Sequence, residues 1–92
     1  MIQKVKLNQG QILTKDNVST YLTRARTGYD YCRFEMKLGT YITIAFFRDM
    51  SFDIMTNSRT IQLWQDIQIV RNTKSINQLT DYVFNWIHRY NR

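Results

Sequence analysis

Tyrosine, arginine and lysine side chains share one face of a strand-like segment, residues 29–38, and their types suit binding more than catalysis. Apolar residues alternate there with Tyr31, Arg33 and Lys37, and successive side chains of a β-strand point to opposite faces of the sheet. A tyrosine ring can stack on a nucleic-acid base, and arginine or lysine can contact a phosphate. An ordinary solvated sheet face also carries such residues, because cross-strand aromatic pairs stabilise sheets. The pattern therefore predicts a binding surface and leaves its ligand open.

A second strand extends this surface. Segments 30–38 and 40–48 flank Gly39, which suits a tight turn because glycine tolerates a positive φ. Pairing the two segments around that turn brings Tyr41 and Phe47 onto the face described above. Exposed aromatic side chains with arginine are also typical of protein–protein interfaces, so the same surface fits a protein partner.

Basic residues are unevenly distributed along the chain, which has 92 residues and a net charge of +6. Residues 1–37 carry seven Lys or Arg against three Asp or Glu, and residues 38–92 carry six against four. Such an excess of positive charge favours acidic partners, above all nucleic acid. A positive net charge also increases the solubility of a protein that binds no such partner. The candidate binding residues are Arg24, Arg26, Tyr31, Arg33, Lys37 and Tyr41.

Residue types that catalyse reactions are scarce. The chain has one histidine, His88, one glutamate, Glu35, and one cysteine, Cys32. Asp81 is two helical turns from His88, too far for the hydrogen bond that would orient a general base. Cys32 alternates with outward-facing residues, which predicts a buried thiol. Because the sequence also shows no glycine-rich phosphate loop and no metal-ligand spacing, we predict a non-catalytic protein without a metal or a cofactor.

Two amphipathic helices are predicted. Thr14 suits the first as its N-cap, and Gly28 is placed to terminate it. Ser75 and Gln78 form a capping box at the start of the second. Apolar stripes at helical spacing follow each cap: Val18, Tyr21, Leu22 and Ala25 in the first helix, and Ile76, Leu79, Val83, Trp86, Ile87 and Tyr90 in the second. Both stripes predict helices that pack on a sheet.

Alternating apolar residues predict the strands. These lie at 30–38, 41–48, 50–56 and 60–70, with a further short strand within 1–7. Segment 60–70 also fits a helix, but its β-branched residues favour a strand. The order (β)-α-β-β-β-β-α predicts one α+β domain over residues 1–92, a two-layer fold with an antiparallel β-meander of about four strands and two helices packed on one face. The predicted core is Val18, Leu22, Phe34, Met36, Ile42, Ile44, Phe52, Ile54, Leu79, Val83 and Ile87.

Three functions remain open. The first is nucleic-acid binding, to RNA or DNA, through the basic and aromatic sheet face. The second is a protein-binding inhibitor or adaptor of a larger complex, such as a nucleic-acid enzyme, and the third is a small ribonuclease-like protein. No apolar segment is long enough to cross a bilayer, no secretory signal is visible, and one cysteine cannot form an internal disulfide. We therefore predict an intracellular, cytoplasmic protein without membrane association.

Overall fold

The computed structural model of the chain has an α+β arrangement, and in its described part three consecutive strands lie between two helices. The structure describes residues 3–8, 10–57 and 75–91. Its elements are β1 (Gln3–Lys6), α1 (Lys15–Thr27), β2 (Tyr31–Glu35), β3 (Tyr41–Phe46), β4 (Phe52–Thr56) and α2 (Ile76–Tyr90). The predicted fold class is confirmed, whereas the strand predicted at 60–70 lies outside the described residues.

The four described strands form one sheet in the order β1-β2-β3-β4. β2, β3 and β4 pair antiparallel with their neighbours, and β1 pairs parallel with β2. β1 and β2 can run in the same direction because α1 connects them, and a helical crossover brings the chain back to the edge at which β1 began. The sheet is therefore mixed, with a three-stranded antiparallel meander as its larger part.

Both helices begin at the residues that the sequence predicts. The Thr14 hydroxyl accepts a hydrogen bond from the Asn17 amide at 3.1 Å, and the Ser75 hydroxyl accepts one from the Gln78 amide at 3.4 Å. Each bond satisfies one of the amide groups that the first turn of a helix leaves without a partner. Both predicted N-caps are confirmed, and they fix where each helix enters the layer above the sheet.

Apolar side chains from both helices meet those on one face of the sheet. The predicted core residues are all buried except Phe52, which is half-buried at the edge of the layer. The rings of Tyr21 in α1 and Phe34 in β2 pack edge to face, with centroids 6.2 Å apart. Residues of the opposite parity in β2 and β3 point to the other face, which is where the candidate binding residues of these strands lie.

Asn91 ties the end of α2 to the loop that precedes α1. It is only 4% exposed, and its side-chain amide donates hydrogen bonds to the carbonyl oxygens of Asn8, at 2.9 Å, and Gln11, at 2.5 Å. The Gly10 amide donates to the Asn91 carbonyl at 3.0 Å. A buried asparagine with these partners stabilises the loop because each polar group that leaves water gains a partner. Asn91 therefore links the end of α2 to the loop before α1.

Candidate functional site

The turn between β2 and β3 has the geometry that its glycine favours. The Met36 amide donates to the Thr40 carbonyl at 2.8 Å, and the Gly39 amide donates to the Met36 carbonyl at 3.1 Å. Gly39 has a φ of +94°, as predicted. This pattern is a three-residue hairpin loop in which the last loop residue is left-handed, a position that glycine fills at no steric cost.

The turn between β3 and β4 repeats this hydrogen-bond pattern without a glycine. The Phe47 amide donates to the Ser51 carbonyl at 3.0 Å, and the Met50 amide donates to the Phe47 carbonyl at 3.1 Å. Met50 therefore occupies the place that Gly39 has in the other turn, and its φ is +72°. A residue with a side chain is disfavoured there by roughly 1–2 kcal/mol, so this turn stores strain that the first one avoids.

The end of α1 holds a second non-glycine residue in left-handed backbone. The Tyr29 amide donates to the Arg26 carbonyl at 3.2 Å, and the Asp30 amide donates to the Ala25 carbonyl at 2.9 Å. These bonds form a Schellman motif, whose left-handed position is usually glycine. Gly28 is the C-cap, which confirms its predicted place at the end of the helix, but its φ is −91°. Tyr29, one residue later, takes the left-handed conformation with a φ of +52°.

Both strained residues lie at one end of the sheet, among exposed apolar side chains. Tyr29, Tyr31, Phe47 and Met50 are 51%, 43%, 48% and 53% exposed. The Arg48 guanidinium carbon lies 5.3 Å from the centroid of the Tyr29 ring, a cation–π distance. These five residues are called the aromatic end here. Its two loops adjoin because β2 begins where β3 ends.

A shallow cleft opens beside the aromatic end, on the side of the helices. Its lining residues are Arg26 at the end of α1, Phe46, Met50 and Phe52 around the second turn, and Ile76 at the start of α2. Arg26 is half-buried, and within the described part of the chain its guanidinium makes no hydrogen bond or ion pair. Four of the five lining side chains are therefore apolar, and the fifth is a cation without a partner among the described residues.

The face of the sheet opposite the helices is called the open face here, although its centre is covered: Thr43 and Ala45 in β3 are 3% and 4% exposed. On this face, Arg33 already contacts its own neighbours. Its guanidinium carbon lies 4.3 Å from the centroid of the Tyr41 ring, and its Nε donates a hydrogen bond to Thr43 Oγ1 at 2.9 Å. Its Nη1 is 3.8 Å from Glu35 Oε1. One face of the Tyr41 ring is thus covered, and the carboxylate of Glu35 offsets the charge of Arg33.

The predicted binding residues divide between the two layers of the fold. Tyr31, Arg33 and Tyr41 lie on the open face of the sheet, Lys37 lies in the turn after β2, and Arg24 and Arg26 lie at the end of α1 in the helical layer. The predicted set is therefore not one surface. Arg26 belongs with the cleft, and the three strand residues belong with the open face.

Lys4 and Lys6 widen the open face beyond the predicted set. The parallel pairing places Lys4 opposite Arg33 and Lys6 opposite Glu35, and both lysines are exposed. Paired residues on neighbouring strands point to the same face, so these lysines form a cationic row beside β2. Alternation in β1 indicates which way the lysines point, but only the pairing partner shows which surface they join.

Cys32 is fully buried, as predicted, and its burial raises the pKa of the thiol to about 12. The ring of His88 lies 4.3 Å from that of Phe84 in the same helix. Among the described residues, no three His, Cys, Asp or Glu side chains gather as a metal site. Neither described helix has the length and apolar character needed to cross a membrane.

Sequence reasoning missed three residues of the aromatic end: Tyr29, Arg48 and Met50. One usable signal is that residues 47–51 form a hairpin turn without glycine, asparagine or proline. Another is the order Gly28-Tyr29, in which the glycine comes one residue before the left-handed position. Alternation also places Tyr29 on the outward face of its segment, but its position beside Arg48 and Met50 depends on the tertiary packing.

No protein-family model, no curated protein and no solved structure matches this chain. A function for the protein therefore rests on the chemistry of its own surfaces.

Proposed function

We propose that this protein is a non-catalytic binding protein that docks its aromatic end onto a partner protein. One observation carries the proposal: four large apolar side chains, each about half exposed, stand together on two adjoining loops and on the first residue of β2. Tyrosine, phenylalanine, methionine and arginine are the residue types enriched at protein–protein interfaces. Residues of this kind supply most of the binding energy where they enter pockets on a partner.

The backbone of the aromatic end supports the proposal independently. Tyr29 and Met50 both have a positive φ, a conformation that costs free energy for residues with a side chain. Strained backbone tends to occur at binding sites, where the geometry serves the presentation of a side chain. Because the two strained residues lie in different loops but at the same end, the strain coincides with the exposed apolar patch.

The ring surfaces that remain free favour a protein over a nucleic acid. On the open face, the contact between Arg33 and Tyr41 covers a ring surface that base stacking would need. The overall charge of +6 favours a partner with an acidic surface and accelerates its association.

Nucleic-acid binding through the open face is the second candidate, and the position of Lys4 and Lys6 favours it. Together with Lys37 and Tyr31, these lysines frame one edge of the sheet with charges that have no counter-ion among the described residues. Such a row suits phosphate contacts, and Tyr31 remains available for stacking. Tyr31 belongs to both surfaces, but Lys4 and Lys6 lie outside the aromatic end and Phe47 lies outside the lysine row, so substitutions at these residues can separate the two functions.

Capture from an extract of the cells that produce the protein, followed by a binding titration, tests the proposal. Immobilised wild-type chain is compared with the Phe47→Ser variant and with Leu38→Ser, a control that removes an 82% exposed leucine from the opposite turn. We expect a partner that wild type and Leu38→Ser retain, with Phe47→Ser weakening its affinity by roughly 2 kcal/mol. The titration of the purified partner measures this difference.

A partner that binds all three proteins equally would contradict the proposal. Titrations of labelled single- and double-stranded RNA and DNA at low salt examine the second candidate. Binding that weakens steeply with salt and is lost in a Lys4→Gln, Lys6→Gln variant, while Phe47→Ser binds normally, would move the function to the open face.

A further inference from the structure

We propose that the cleft beside the aromatic end binds an apolar side chain of a partner segment, with Arg26 pairing to a carboxylate next to that side chain. This inference rests on the proposed function, because it names the chemistry that the partner protein presents. The segment is thus an acidic peptide with a leucine-like residue at its centre.

The walls of the cleft are suited to an aliphatic group. Phe46 and Phe52 face each other across β3 and β4, with ring centroids 6.2 Å apart and planes tilted by 56°. Ile76 closes the side formed by α2. Phe46 is 5% exposed, so this wall is a fixed part of the fold, and its apolar surface gives water few hydrogen-bond partners.

Met50 is the adaptable part of the cleft. The enclosed space is about 10 Å³, roughly the room for one water molecule, so an aliphatic side chain enters only if a lining residue moves. Met50 is 53% exposed, and methionine side chains are flexible enough to adjust to a bound group. A branched aliphatic side chain is smaller than an aromatic ring and therefore requires the smaller movement of Met50.

Arg26 determines the charge of the occupant. Its guanidinium lines the cleft and is half-buried, yet no carboxylate within the described residues pairs with it. A partly desolvated guanidinium binds a carboxylate strongly, since both groups match in a two-bond geometry. An acidic residue beside the aliphatic group would supply the missing partner.

Three synthetic heptapeptides test this inference on the full chain. The probe is acetyl-Gly-Ser-Asp-Leu-Asp-Ser-Gly-amide. One control replaces both aspartates with asparagine and removes the charge, and the other replaces the leucine with alanine and removes the aliphatic group. Amide NMR spectra recorded during each titration report where and how tightly the peptides bind. We expect saturable shifts at Phe46, Met50 and Ile76 with the probe, and affinities roughly tenfold weaker for both controls.

Two arginine variants separate the cleft from general charge attraction. Arg26→Gln should bind the charged probe no better than it binds the asparagine peptide. Arg24 was a predicted binding residue, but it is exposed and does not line the cleft, so Arg24→Gln should bind the probe as wild type does. Dispersed spectra of both variants verify that they fold. Equal losses in the two variants, equal affinity for the three peptides, or an absence of shifts around the cleft would each overturn the inference.

Different results would contradict the proposed function and the inference about the cleft. If Arg26→Gln retains the affinity of wild type for the captured partner while Phe47→Ser loses it, the aromatic end is the interface and the cleft is not used. If neither variant affects the partner, the proposed function fails, and the peptide titration then decides the cleft alone.

Discussion

The two hairpin turns of the sheet have the same hydrogen-bond pattern but different residue types at the left-handed position. One places Gly39 in the left-handed conformation, with a φ of +94°, and the other places Met50 there, with a φ of +72°. Glycine is the residue that this geometry favours, so the first turn follows the rule and the second departs from it. The departure is accompanied by the exposure of Phe47 and Met50. The first turn also exposes an apolar side chain, Leu38, so the difference between the turns is that only the second combines such exposure with a strained backbone.

The end of α1 extends this comparison to a helix. Reversing the order of Gly28 and Tyr29 would remove the backbone strain from the Schellman motif, because the residue after the C-cap takes the left-handed conformation. The chain instead places the tyrosine ring there, within 5.3 Å of the Arg48 guanidinium carbon. Two unrelated local structures thus carry the same kind of strain at the same end of the molecule.

The largest expected effect on the free energy of unfolding distinguishes a buried aromatic ring from an exposed one. Phe34 has no exposed surface, and Phe47 is 48% exposed. Phe34→Ala should lower the free energy of unfolding by about 3–5 kcal/mol, because it removes buried contacts and leaves a cavity. Phe47→Ala should change it by at most about 0.5 kcal/mol. Urea denaturation measures both, and a comparable loss in Phe47→Ala would mean that the aromatic end belongs to the core.

The free energy of unfolding should depend on pH through Cys32, which lies on the face of the sheet that the helices cover. Burial raises the pKa of its thiol from 9.0 to about 12, so the unfolded chain ionises first as the pH rises. The stabilising contribution is complete below pH 9 and declines between pH 9 and 12, by about 1 kcal/mol at roughly pH 10. Urea titrations at successive pH values should show a shallower alkaline decline for Cys32→Ala than for wild type, and parallel declines would contradict this prediction.

The buried half of this architecture follows from the sequence because hydrophobic burial leaves a periodic pattern. Val18 and Leu22 recur at helical spacing, and Phe34 and Ile44 alternate with outward residues, so their burial is predictable before the structure is known. The N-caps Thr14 and Ser75 are equally local, because a cap side chain bonds to an amide only three residues away. These features need no knowledge of distant contacts.

The candidate site follows much less from the sequence, because it depends on long-range geometry. The parallel pairing of β1 with β2 brings Lys4 beside Arg33 and depends on the crossover through α1. The contact of Arg33 with Tyr41 depends on which rotamer packs best in the folded sheet. The conformation of Met50 is imposed by the pairing of β3 with β4 against its local preference. The predicted residues consequently divide between two surfaces.

Gly39→Ala tests the first turn directly. An added Cβ meets no atom within 4 Å, so any loss of stability comes from the backbone conformation alone. We expect a loss of about 1 kcal/mol, since alanine at a positive φ is strained. Thermal unfolding in parallel with wild type measures it. An unchanged midpoint would mean that this turn tolerates a side chain and that the contrast with Met50 has no energetic basis.

Met50→Gly and Tyr29→Gly test the strained positions, and their effects on stability should have the opposite sign. Each substitution relieves a left-handed residue by roughly 1–2 kcal/mol and adds about 0.5–1 kcal/mol of backbone entropy to the unfolded chain. The net expectation is a gain of about 0.5–1 kcal/mol in the free energy of unfolding, measured by urea denaturation. The same variants should bind the partner of the aromatic end more weakly, because they delete an exposed anchor. A variant that loses both stability and affinity would show that the side chain supports the fold. A variant that gains stability and retains affinity would show that the strained residue has no role in binding. The two turns would then differ in backbone strain without any difference in function.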